Sequence, residues 1–167
     1  NGAANPAYTG TFVFDNDFPA LTAADTGVVT SLHDGPLLRS EGVSGVCRVI
    51  CFSPRHDLTL AQLPAGDITA VIDTYAAETA ALGRRYTWVQ AFENKGELMG
   101  CSNPHPHGQI WASDTLPNEA AAEDHHQRKH LAAHGVPLLV DYARHERERR
   151  VRVVHETDGW VAVVPYW

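Results

Sequence analysis

At 167 residues, 44% of them hydrophobic, the chain is long enough to bury a substantial core as one globular domain. A formal charge of −7 at pH 7 argues against long-range attraction to nucleic acid or an anionic membrane, but leaves open a small phosphate ligand, which needs only a few local donors. No apolar run approaches the roughly 20 residues that cross a bilayer and no secretory leader is evident, so the three cysteines read as reduced thiols of a cytoplasmic protein.

In chain order, Thr11 to Phe14 and Val46 to Phe52 read as strands, the second alternating Val46, Arg48 and Ile50 against Cys47, Val49 and Cys51. Cys47 and Cys51 would share one face about 13 Å apart, too far for a direct disulfide and suited to packed thiols. Asp25 to Gly45, rich in Gly, Ser, Asp and Thr, reads as a mobile loop. Asp67 is expected to cap a helix in which Ile68, Val71, Ile72, Tyr75, Ala76, Thr79 and Leu82 recur at helical spacing, with Gly83 as its stop. Tyr86 to Glu93 and Gly108 to Ser113 follow as strands, joined by a long loop, Asn94 to His107, of the kind that carries function. Asn118 is expected to cap a helix through His134, and Leu138 to Arg149 forms another. Val151 to His155 and Trp160 to Pro165 close as a hairpin around Asp158-Gly159. Trp88, Trp111 and Trp160 are expected in the core. His126, His130 and His134, spaced i, i+4, i+8, and the mixed run from Arg144 to Arg150 are expected on solvated helix faces. This order of elements favours an α+β domain with a mainly antiparallel sheet.

The most telling segment is Cys101-Ser-Asn-Pro-His-Pro-His-Gly-Gln-Ile-Trp111. Pro104 and Pro106 hold their own φ near the extended range and bias Asn103 and His105 away from helix. In an extended chain His105, His107 and Gln109 share one face at intervals of about 6.6 Å. Gly108 is expected to leave the backbone open to a ligand. A neutral imidazole, with an ordinary pKa of about 6.5, is a nucleophile that needs no separate base. His107 is the candidate, with a loop carbonyl to accept its second ring N–H and fix the tautomer. Gln109 can donate amide hydrogens to phosphoryl oxygens while staying neutral.

On these residues the chain resembles the galactose-1-phosphate uridylyltransferases, a branch of the histidine-triad superfamily in which glutamine replaces the last histidine. The likeness continues through Asn5-Pro-Ala-Tyr-Thr-Gly-Thr-Phe-Val-Phe14, Asn16-Asp-Phe18, Arg48-Val-Ile-Cys-Phe-Ser-Pro54 with His56, Phe92-Glu-Asn-Lys-Gly96 and Leu139-Val-Asp-Tyr142. The resemblance implies a histidine-triad-like half-barrel of antiparallel strands with helices on one side. It also implies a two-step exchange of UMP between UDP-glucose and galactose 1-phosphate, through a covalent uridylyl-histidine, in galactose metabolism. By position, His107 matches the nucleophile and Gln109 the phosphoryl-binding glutamine. Asn94, Cys101 and Ser102 match the phosphate region, Asn16 and Asp17 the ribose site, and Phe14, Phe18 and Val49 the surroundings of the base.

The resemblance further implies a structural zinc on His56 and His105, its other two ligands being a Cys-x-x-Cys upstream of this chain. Glu123 aligns with a carboxylate that binds a second metal in some members, for which iron is the candidate; read alone, it is an exposed helical glutamate. The family is dimeric, which makes a homodimer the expected form of the intact protein. Asn1 and the apolar stretch ending at Trp167 suggest residues 1–167 are one catalytic domain of a longer, two-lobed chain. Two alternatives stay open: an adenylyl-transferring dinucleoside polyphosphate phosphorylase of the same superfamily, and an inactive piece with only a structural role.

Overall fold

The computed structural model describes residues 6–23, 31–101 and 103–167. They group into two compact units, one running to Leu116 and one from Pro117 to Trp167.

In the first unit, β1 (Phe12–Asp15), β4 (Gly45–Cys51), β6 (His107–Ser113) and β5 (Trp88–Phe92) make an antiparallel sheet in the order β1-β4-β6-β5. Cross-strand partners share a face of the sheet, so the register sorts the side chains. Ile50 lies opposite Gly108, Arg48 opposite Ile110, and Val46 opposite Ala112. This face packs on helix α1 (Ala65–Leu82), whose Ile68, Val71, Tyr75 and Leu82 join Ile50, Phe52, Ile110 and Ala112 in the core. The helix turns a strict 3,4-spaced stripe inward, and Ile72, one position off it, is 60% exposed. Removing Ile50 or Ile110 from water stabilises by roughly 2 kcal/mol each. Arg48, on the same face, reaches Glu78 of α1 and pairs with Asp15 at 3.1 Å.

The α+β class and the antiparallel sheet match the sequence reading, with several local corrections. Part of the expected mobile loop is a hairpin, β2 (Leu32–Asp34) and β3 (Leu38–Ser40), all of whose residues are exposed; residues 25–30 of that loop lie outside those described. The cap of α1 is Pro64 rather than Asp67, which sits in the first turn, where its carboxylate still meets the positive helix end. Likewise α2 (Asn118–His134) is capped by Pro117, with Asn118 its first helical residue. A proline there loses nothing, because the first-turn N–H groups have no intrahelical acceptor.

In the second unit, His130 of α2 bonds Asp141 of α3 (Leu138–Arg149) at 3.1 Å, so one of the three histidines expected in solvent is an inter-helix contact. Strands β7 (Val153–Thr157) and β8 (Trp160–Val163) form the expected hairpin. Trp160 is 81% exposed and not core, and neither Trp88 nor Trp111 is fully buried. Nor is the run from Arg144 wholly solvated: Glu146 is completely buried and accepts from Arg152 Nε at 2.7 Å. Burial works against the Glu146 charge, but the Arg152 guanidinium and the Tyr142 hydroxyl together outweigh it and hold the carboxyl below its usual range.

Candidate active site

The sheet face away from α1 carries the functional side chains. Phe12, Cys51 and His107 form one cross-strand row; Phe14, Val49, Gln109 and Phe92 form the next. His107 and Gln109 therefore share a face, as alternation requires. Gly108 points the other way. A Cβ there would collide with the Tyr75 hydroxyl and lie 2.9 Å from the Phe92 carbonyl oxygen. Its expected role as an opening for ligand is thus corrected: glycine is needed because the Tyr75 hydroxyl, bonded to Phe92 O at 3.3 Å, fills the space beneath the strand.

The loop before β6 is pinned at several points. Phe52 N donates to Pro106 O at 3.0 Å, and His105 N donates to the Asn103 side chain at 3.0 Å. Cys101 Sγ donates to Asn103 O at 3.0 Å. The ring of His105 lies between two partners, with Tyr8 Oη 3.0 Å from Nε2 and His56 Nδ1 2.7 Å from Nδ1. Tyr8 stacks on Phe12 with ring centroids 5.2 Å apart, and burial pushes its hydroxyl up to about 12, so it stays protonated as a hydrogen-bonding group. Burial, then the neighbouring His56, lowers His105, which keeps that ring neutral near pH 7.

These anchors matter because His107 Nδ1 donates to His105 O at 2.7 Å. The carbonyl can only accept, so Nδ1 carries the proton and Nε2 carries the lone pair. His107 lies between two cavities. One, of about 400 Å³, is lined by Phe14, Asn16, Asp17, Phe18, Val49 and Gln109 among others. The other, of about 530 Å³, includes Asn94, Lys95 and Cys101. Asn16 Oδ1 accepts from Phe18 N at 3.0 Å, a local turn that presents the Asn16-Asp17 corner. Phe18 is 90% exposed at the rim. Ser102 lies outside the described residues. The structure thus gathers every other predicted substrate residue around His107, in two groups.

His56 and His105 meet, but two nitrogens are half of a tetrahedral set, and 2.7 Å is closer than the roughly 3.3 Å two ligands keep across a zinc ion. No group of three or more His, Cys, Asp or Glu side chains among the described residues is placed to hold a metal. Glu123 is exposed on α2, in the second unit. These residues alone do not make a metal site.

Two contributors escaped the sequence reading. Tyr8 reaches His105 across 97 positions of chain, and only its place in the Asn5 to Phe14 motif hinted at a role. Trp111, expected in the core, donates from Nε1 to Gln109 Oε1 at 3.1 Å.

Residues 1–117 match the model of the galactose-1-phosphate uridyl transferase N-terminal domain. The chain is 50% identical over its whole length to galactose-1-phosphate uridylyltransferase of Rattus norvegicus, and 51% identical over 99% of it to that of Haemophilus influenzae. It covers 44% and 47% of those two proteins, so it spans about half their length. Among solved structures, a uridylyltransferase mutant superposes with a TM-score of 0.78 at 23% identity, covering 96% of this chain and 51% of that one. An ADP-glucose phosphorylase from Arabidopsis thaliana, with bound ADP-glucose, superposes with a TM-score of 0.71 at 20% identity, covering 93% of this chain and 46% of that one. The two superpositions speak to fold alone.

Proposed function

Since the chain belongs to the galactose-1-phosphate uridylyltransferase family, we propose that it carries the nucleophile for exchange of UMP between UDP-glucose and galactose 1-phosphate. The observation behind this reading is the 2.7 Å bond from His107 Nδ1 to His105 O, which leaves the Nε2 lone pair free between two cavities. In the first step Nε2 forms a bond to the α-phosphorus of UDP-glucose. The bond from that phosphorus to the bridging oxygen breaks, and glucose 1-phosphate leaves with the electron pair. Galactose 1-phosphate then takes the uridylyl group through its phosphate oxygen and restores the free imidazole.

Each site residue has a part in this reading. Gln109 donates to the non-bridging oxygens of the transferring phosphoryl group, where charge gathers in the transition state. Asn16 and Asp17 hold the ribose, with Phe14, Phe18 and Val49 against the base. Asn94 and Cys101, with Ser102, receive the leaving phosphate on the other side. The family's zinc would draw on ligands beyond the described residues. His56 and His105 would supply two of its ligands, and Glu123 one ligand of a second metal completed elsewhere. A cytoplasmic homodimer is the form we propose for the intact protein; no helix among the described residues is long and apolar enough to cross a membrane.

Incubating the intact protein with UDP-glucose labelled in the uridylyl group tests the reading. Acid-labile, base-stable label on His107, with release of glucose 1-phosphate, is expected. Label acquired only from an adenine dinucleotide would replace uridylyl by adenylyl transfer. No label from either would leave a structural piece.

A further inference from the structure

A glutamine that serves an anion must present its NH2 rather than its oxygen, and the two ends of an amide have nearly the same shape. Nothing in Gln109 itself sets the choice. Trp111 does. Its indole N–H is a donor with no acceptor capacity, and it lies 3.1 Å from Gln109 Oε1. Rotating the amide by half a turn would set two donors against each other. The oxygen is therefore committed to Trp111, and the NH2 is turned away from it; among the described residues nothing accepts from Nε2.

The indole is itself held. Trp111 and Gln109 are two apart on β6 and so share a face. The Phe92 ring meets Trp111 edge to face, with centroids 5.5 Å apart, and Phe92 is the cross-strand partner of Gln109. Phe92 braces the tryptophan, the tryptophan takes the amide oxygen, and the amide hydrogens are left for the cavity that Gln109 and His107 line.

We propose that Trp111 is a positioning residue, acting through Gln109 to hold its amide as a donor toward the phosphoryl group. This deepens the uridylyl-transfer reading and rests on it for the identity of the anion. Trp111→Phe keeps a ring against Phe92 and deletes the donor, after which both amide orientations are populated.

The test is a double-mutant cycle on formation of uridylyl-His107 in the intact protein, using Trp111→Phe, Gln109→Ala and both together. Trp111→Phe is expected to slow formation roughly tenfold, less than outright loss of an anion-hole donor, with the KM for UDP-glucose within about twofold. In the Gln109→Ala background the same change should have no further effect, because its target is gone. Equal losses in both backgrounds would show that the ring acts by packing alone and overturn the proposal, as would full activity in Trp111→Phe. A second measurement needs no turnover: the Trp111 indole 15N–1H resonance should move upfield in Gln109→Ala, and an unmoved resonance would overturn the bond itself. If the wild-type protein takes no uridylyl group, yet its Trp111 resonance lies downfield of that in Gln109→Ala, the transfer reading would sink and the positioning role would stand.

Discussion

Under α1 the sheet presents Ile50, Ile110 and Ala112, none of them exposed at all, while its other face presents Val49, His107 and Gln109 to two cavities. Both sets come from the same strands, interleaved residue by residue. Ile110 is anchored in core immediately after Gln109, and Gly108 is clamped against Tyr75 immediately before it. The packed face thus sets the height and angle of the reactive face. A slip of one residue in β6 would exchange the two sets entirely, so the cost of exposing Ile110 also guards the register of His107.

If the division is this sharp, reactive-face changes should remove chemistry without stability, and core-face changes the reverse. The largest effect is expected for His107→Asn, which should abolish uridylyl exchange in both half-reactions while the urea midpoint stays near that of wild type; ordinary exchange by this variant would refute the nucleophile. Next, Gln109→Ala should lower the turnover number by roughly 10²- to 10³-fold, as for one anion-hole donor, again at nearly unchanged stability in a thermal melt. On the opposite face, Ile110→Ala should cost about 3 kcal/mol by chemical denaturation, from lost burial and the cavity left behind. The smallest change expected is Gly108→Ala, about 2 kcal/mol from overpacking against Tyr75. Adding Tyr75→Phe should recover part of that loss, since the hydroxyl is the nearest obstacle; no recovery would place the strain on the Phe92 carbonyl instead.

Much of this was legible because the relevant signals are local. The alternation in Val46 to Cys51, the 3,4 spacing from Ile68 to Leu82 and the paired prolines around His105 each constrain their own few residues. What stayed hidden depends on partners distant in the chain or on the choice between two similar local signals. The hairpin of β2 and β3 lies open to solvent on both sides, so it carries no alternation to read. The local sequence shows Gly108 only as a gap in the row of side chains; that the gap faces Tyr75 rather than a ligand follows from pairing with Ile50. The burial of Glu146 could not be foreseen within a run of charges, because it requires Arg152 to arrive from beyond the helix end. Asp67 and Asn118 carried plausible cap chemistry, yet prolines upstream took the positions.

That hidden carboxylate makes the segment from Pro117 onward vulnerable to acid. Because the folded value of Glu146 is depressed relative to the unfolded chain, its ionised form favours folding above the ordinary carboxylate range, and that advantage drains away as pH falls through the depressed value. Glu156, held down by Arg147 and Arg150, adds to the same trend. Titrating downward, tyrosine and tryptophan fluorescence should report Tyr142, Tyr166 and Trp167 parting company, since the Tyr142 ring meets Trp167 at a tilt with centroids 5.1 Å apart, and its hydroxyl accepts from Tyr166 N beside this ion pair. With Glu146→Gln, the acid limb of that transition should shrink.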